Sequence, residues 1–515
     1  MPESDLADEV AAVLDVERTE FQRRVDEEAD LIAAEIDDGT FDNPQGIVGL
    51  EYEFYAVAAD DADQWTDPDH VEPGSLARLP RRLLEYVGFE KELGLHNAEM
   101  STSPDPLNGH GLRAQSEQVA ARLEAARDPM RAEGLRLVSD GLWTIAPAGE
   151  TAWEYLTDSV EIDDVRVATN MSSAVRYHAM SNADLSPDMT IDAPHVSLDA
   201  DTVMPESIIT SIQPHYQVPH ARDLPDYFRY ALRIAGPLLA MAVNSPLFPP
   251  DLYDSGTTPE EALDDGWDEH RIAVFESVLN GEGHDKVRFP RDLTTVEQAL
   301  DRIAADETMV PMPVTEGDRF DDQFAHFRHK HGTYWRWVRP VFGGPTRSDA
   351  NARIEFRPLP GQPTVRDTIA LQAAFAGLLV GLRSADHPVA DLDWETVEEN
   401  FYAAARNGLD ADLTWITGDG ERTSSAGAIA DDLLAHADAG LAARGVDEDA
   451  RAHYLDPLGA RVAAETTPAD WKRARVRERL ADGEAFADAV AGMQRTYLEK
   501  QRETLLTGCF ADWLQ

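Results

Sequence analysis

The 515-residue sequence contains a single cysteine, Cys509. Intrachain disulfides and a cysteine-built zinc site are therefore excluded, and a reducing, cytoplasmic setting is expected. Lysine is nearly as scarce: only Lys91, Lys286, Lys330, Lys472 and Lys500 stand beside forty arginines, and the basic residues together face 96 acidic ones. The formal charge of −51 leaves no clustered cationic surface for nucleic acid or anionic lipid, so neither is expected as a partner. A chain so rich in Asp and Glu and so poor in Lys fits a salt-rich, halophilic interior, where screening suppresses self-repulsion. Long apolar runs are missing too. The longest, residues 234–243, is about half of a membrane span, and the opening MPESDLADEVAAVLD lacks the basic and apolar regions of a secretion signal.

Apolar material is nonetheless ample. With 43% hydrophobic residues, ten tryptophans and seventeen phenylalanines, the chain is not an acidic disordered polymer. Residues 4–38 carry apolar side chains at helical spacing, and a turn signal at 42–46 precedes a strand-like run from Ile47 to Val57. Further strand-like runs at 94–101, 142–147, 207–218 and 352–358 alternate with helical patterns at 74–87, 113–138, 223–243 and 365–384. The pattern predicts an α+β fold, an antiparallel sheet with flanking helices. From about 386 onward the text turns to Ala, Asp, Glu, Arg and Leu with helical period. The expected division is an N-terminal helical segment (1–40), a catalytic domain (41–385) and a C-terminal helical extension (386–515).

Glu51 and Glu53 lie at i and i+2 of the first strand, so both point to one face while Leu50, Tyr52 and Phe54 point to the other. Alone, such a pair reads as solvated glutamates. Two anions this close also invite a cation, and oxygen-only ligation suits Mg²⁺ or Mn²⁺. Glu92 and Glu99 bracket a second short strand. Gln213, His215 and Gln217 share a face of a third, and Arg353, Glu355 and Arg357 share a face of a fourth, with Arg336 and Arg339 among aromatics upstream. Glutamates that hold cations, combined with guanidinium forks, make a wall fit for metal-bound phosphates.

The order of these motifs resembles that of glutamate–cysteine ligases and related carboxylate–amine ligases. Gly49-Leu50-Glu51-Tyr52-Glu53 resembles the family's Gly-x-Glu-x-Glu strand. Glu92 and Glu99 stand seven apart ahead of Thr102-Ser103-Pro104. Arg176-Tyr177 lacks the family's preceding Lys-Gly, His215-Tyr216-Gln217 is the polar strand, Asn244-Ser245-Pro246 closes a helix, and Glu355-Phe356-Arg357 supplies Glu-x-Arg. The resemblance covers residues 46–385 and implies a glutamine synthetase-like fold. It also implies a reaction with ATP and Mg²⁺: a glutamate-type carboxylate is phosphorylated, and an amine, most commonly cysteine, then displaces phosphate. By the same resemblance Glu51, Glu53, Glu92, Glu99, His215 and Glu355 would hold metal, Arg339, Arg357 and Glu53 would act in catalysis, and Arg176, Tyr177, Thr102, Gln217 and Asn244 would meet substrate. A different amine or carboxylate, or an inactive nucleotide-binding scaffold of the same fold, are the alternatives.

Overall fold

The computed structural model describes residues 3–59, 72–281, 283–314 and 317–514. The alternation that starts at Ile47 becomes the central strand β1 (Ile47–Ala58), with Leu50, Tyr52 and Phe54 buried and Glu51 and Glu53 half-buried on the other side. It is joined by β2 (Glu90–Lys91), β3 (Asn97–Ser101), β4 (Asp105–Pro106), β5 (Leu135–Val138), β6 (Ile212–Gln217), β7 (Val338–Gly343) and β8 (Asn351–Phe356). All pairings in this sheet are antiparallel. The order is β7-β8-β6-β1-β3-β2, while β4 and β5 pair with opposite ends of β1.

The N-terminal text folds as a helical pair, α1 (Glu3–Leu14) and α2 (Arg18–Asp37). The buried side of the sheet is covered by α3 (Gly109–Ala132), α4 (Leu224–Ala242) and α5 (Val365–Ser384). Long and apolar enough to cross a membrane, α5 has 94% of its apolar window buried inside the protein, as a helix that is hydrophobic all round requires. Five helices follow: α6 (Trp394–Asn407), α7 (Ala426–Ala443), α8 (Glu448–Ala463), α9 (Pro468–Ala481) and α10 (Phe486–Thr504). They share the core with the sheet: Ile429, Leu433, Ala437 and Leu441 of α7 join the cluster of Leu50, Tyr52 and Ile369. Trp471, Val490, Met493 and Tyr497 pack with Tyr55, Val57 and Trp143.

Five expected elements differ. The run 207–218 opens in a one-turn helix, Met204–Ile208, and only Ile212–Gln217 is strand; the region after 386 holds a short hairpin, Trp415–Ile416 with Arg422–Thr423. The helix read over 113–138 ends at Gly134, whose φ of 72° stops it, and its tail is instead β5, paired with the end of β1. The helix read over 74–87 begins only at Arg81, after Pro80. The run 142–147 is not a strand: Leu142 makes one isolated bridge to Ile209, and Trp143 is buried with its Nε1 donating to the Gly74 carbonyl at 2.8 Å. Apolar alternation there serves the core rather than a ladder.

Away from the sheet, His387, Asp432 and His436 come together where the chain leaves α5 and meets α7. Their hydrogen bonds make them a clasp. Val389 N–H donates to His387 Nδ1 at 3.2 Å, so Nε2 carries the ring proton and donates it to Asp432 Oδ2 at 3.1 Å. The same carboxylate accepts from Trp415 Nε1 at 2.7 Å and Gly418 N at 2.9 Å. Held by these bonds, the trio ties a loop to a helix.

Candidate active site

Register decides which polar side chains meet. Across neighbouring strands Glu53 stands opposite Glu99, Glu51 opposite Gln213, His215 opposite Glu355, and Glu355 opposite Arg339. Paired residues and their i±2 neighbours share a face. Arg339, Arg353, Glu355, Arg357, Gln213, His215, Gln217, Glu51, Glu53 and Glu99 thus belong to one surface of the sheet, the side away from α5.

Two cavities lie on this surface and meet at Glu51 and Arg339. The outer one, about 480 Å³, is bordered by His215, Gln217, Thr102, Arg353 and Glu355, with Arg319, Asp321 and Arg328 contributed from outside the sheet. The inner one, about 200 Å³, collects Glu53, Glu92, Glu99, Arg176, Tyr177, Gln213 and Arg357. Phe275, Leu279, Met180 and Trp335 form its apolar wall, and Glu206 adds a further carboxylate.

The carboxylates fall into two electrostatic groups. Toward β7 and β8, Arg339 Nε donates to Glu355 Oε1 at 2.8 Å and Arg357 Nη1 donates to the same oxygen at 2.7 Å. Burial opposes ionisation of Glu355, but these two guanidinium charges outweigh it and hold its pKa well below the usual range. Glu51 behaves alike: burial is overcome by His215, whose Nε2 lies 3.3 Å from Glu51 Oε1, and the pKa is lowered. Toward β3 the balance reverses. Burial, then the charge of Glu92, pushes Glu53 up to about 7, although its oxygens accept from Ser211 N at 2.7 Å and Gln213 Nε2 at 3.0 Å. Glu99 is driven well up by burial and by Glu51, Glu92 and Glu53. Burial also raises Glu92 despite the Tyr177 hydroxyl, which donates to it at 3.0 Å.

Crowded, half-buried carboxylates short of positive charge are the donor set a hard divalent cation requires. Glu51, Glu53, Glu92 and Glu99 fit it. Glu355 fits through the oxygen its arginines leave open. His215 is constrained: Arg353 Nε, always protonated, donates to its Nδ1 at 3.3 Å, so ligation through Nε2 requires Arg353 to turn away.

Other expected residues sort by what already occupies them. Arg176 Nη2 and the Tyr177 hydroxyl are 3.4 Å apart at the inner cavity. Thr102 borders the outer cavity, but its hydroxyl receives Leu50 N at 3.0 Å and donates to Gln115 at 2.5 Å, so it braces β1. Gln217 donates to the Asn43 carbonyl at 3.4 Å. Asn244, expected at substrate, borders neither cavity. It is fully buried, with its Nδ2 donating to Gly361 O at 2.7 Å and Tyr497 Oη at 3.2 Å, and its carbonyl accepts from Lys472 Nζ at 2.7 Å. The Asn-Ser-Pro turn anchors the C-terminal helices. Sequence reading missed Glu206 and Arg271. Glu206 lies in no ligand-spaced motif. Arg271, which donates to the Arg357 carbonyl at 3.0 Å and lies 3.4 Å from Glu269, sits in a helix far from every strand motif.

A profile of the family described as glutamate-cysteine ligase family 2 matches residues 47–502. No curated protein matches the sequence. Among solved structures, a glutamate–cysteine ligase of Francisella tularensis in complex with AMP is 13% identical, with 92% of each chain covered and a TM-score of 0.49. A bifunctional glutathione synthetase of Pasteurella multocida is also 13% identical, covering 92% of this chain and 55% of its own, with a TM-score of 0.43. The complex of the ubiquitin-like protein Pup with its ligase PafA is 11% identical over 87% of this chain and 71% of the other, with a TM-score of 0.39.

Proposed function

The chain belongs to glutamate-cysteine ligase family 2 and is an ATP-dependent carboxylate–amine ligase; from the chemistry of its cavities we propose that it joins glutamate to cysteine through an acyl phosphate. The observation that carries this reading is the division of one sheet face into a guanidinium-rich half and a carboxylate-rich half that meet at Glu51 and Arg339.

The outer cavity has the size of a nucleotide-binding cleft, and its Arg319, Arg328 and Arg353 suit phosphate oxygens. Arg339 and Arg357, already aligned by Glu355, grip the phosphoryl group in transfer. Divalent ions held by Glu51, Glu53, Glu92, Glu99 and Glu355, with His215 once Arg353 releases it, would neutralise charge as it moves onto ADP. Arg176 and Tyr177 serve the amino-acid carboxylate at the inner cavity, whose apolar wall keeps water from the acyl phosphate. Thr102 and Gln217 act at the border of the outer cavity as braces of the strands. In this reading the parts 1–40 and 386–515 support a catalytic part spanning 41–385, and the protein works in a cytoplasm of high salt.

The test is phosphate release in molar KCl with Mg-ATP, glutamate and a panel of amines that begins with cysteine. Release is expected to need glutamate and to rise most with cysteine, with γ-glutamylcysteine as product. A panel in which no amine stimulates release overturns the reading.

A further inference from the structure

Five carboxylates border the inner cavity, and the sequence motifs account for four, three on strands and Glu92 just after β2. The fifth, Glu206, arrives from a one-turn helix, Met204–Ile208, outside the sheet. Its backbone is pinned on both sides of the side chain. Pro205 opens the turn, the Ser207 carbonyl accepts from His96 Nε2 at 3.0 Å, and the Ile208 carbonyl accepts from the Tyr55 hydroxyl at 2.7 Å. His96 and Tyr55 are themselves buried, so the turn holds the Glu206 backbone beside the cavity. Yet among the described residues no hydrogen bond or ion pair reaches its carboxylate. A half-buried anion without a partner, on a backbone held in place, is costly unless something that visits the cavity supplies the charge.

The visitor cannot be the phosphate, which is anionic. Resting on the ligase reading above, we propose that Glu206 is a catalytic residue that receives the ammonium group of the amine substrate and takes its proton. The ammonium gives one proton to Glu206, and the freed lone pair attacks the acyl carbon. The C–N bond forms as the C–O bond to phosphate breaks, and phosphate leaves with the bonding pair and the second nitrogen proton. Burial, the leading cause of the rise in the Glu206 pKa, makes its carboxylate a stronger base than one in water. Phe275, Leu279 and Trp335 on the same cavity favour a small amine with an apolar or polarisable side chain over a second dianion.

Hydroxylamine separates this role from the others because it is uncharged at neutral pH and needs no proton acceptor to attack. Glu206→Gln is expected to cut γ-glutamylcysteine formation by at least about a hundredfold while forming γ-glutamyl hydroxamate within about threefold of the wild-type rate. Glu206→Asp, which keeps the charge on a shorter stem, should recover part of the amide rate. Equal loss of amide and hydroxamate in a Glu206→Gln protein that melts like the wild type would make Glu206 a metal ligand and overturn the proposal. Unchanged amide formation overturns it as well. If the wild type makes no hydroxamate from ATP and glutamate, the ligase reading itself fails and takes the proposal with it.

Discussion

Glu53 shows how neighbours set a side chain's chemistry. Its strand spacing was readable, but its pKa, raised to about 7 by burial and by Glu92, comes from a residue nearly forty positions away. A carboxyl raised in the folded state contributes stability below the unfolded value near 4.5 and loses it as pH climbs through about 7. Glu99, Glu92 and Glu206 are shifted the same way. Glu51 and Glu355, shifted down, act with opposite sign and only toward acid. Because buried His96, His270 and His331, held neutral by burial, act with the opposite sign below about 6.5, the metal-free protein in molar KCl should melt at lower temperature as pH rises from about 7 to about 8. Glu53→Gln should flatten that decline, and Mg²⁺ should raise the melting temperature more at the upper end. A melting temperature that climbs across this range, read by calorimetry, contradicts the charge balance. Glu206 escaped sequence reading because nothing local marks it: only the folded turn aims it at the cavity.

At the scale of elements, α5 and α7 cross where side chains are absent. A Cβ on Gly440 would collide with the Gly377 carbonyl, and one on Gly381 with the His436 carbonyl, so these glycines set the distance between the core helix and the C-terminal helices. Gly440→Ala would gain helix propensity of at most about 1 kcal/mol and lose it to overpacking of about 1–3 kcal/mol. The expected net effect is destabilisation in urea unfolding. Gly427→Ala in the exposed first turn of α7, where almost nothing lies nearby, should be neutral or stabilising. If the two variants behave alike, the close approach does not govern this crossing. Helical periodicity marked both helices, but that they touch, through backbone rather than side chains, has no periodic signature. For the same reason the tail of the helix read over 113–138 turned out to be β5: its Leu-Arg-Leu-Val fits either element, and pairing with Tyr55–Ala58 decided it.

Over the whole molecule the charge is more one-sided than composition suggests. Lys286, Lys330 and Lys472 are buried, with Lys286 paired to Asp306 and Lys472 to Asp140, so few lysines remain to offset the acidic surface. Self-repulsion of this kind is relieved by screening. The melting temperature should rise steadily between low and molar KCl, and a flat response in differential scanning fluorimetry would refute the halophilic reading. What the sequence by itself determined is whatever depends on short-range periodicity and composition: the two glutamates on one face of β1, the α+β class, the absence of disulfides and the acidic character. The tertiary structure alone decided which faces met. Strand register brought Glu53 to Glu99 and Glu355 to Arg339, core packing drew Asn244 into the anchor of the C-terminal helices, and a distant turn delivered Glu206. Those outcomes depend on contacts between residues from 16 to 253 positions apart, where burial and neighbouring charge, rather than spacing along the chain, set the energy.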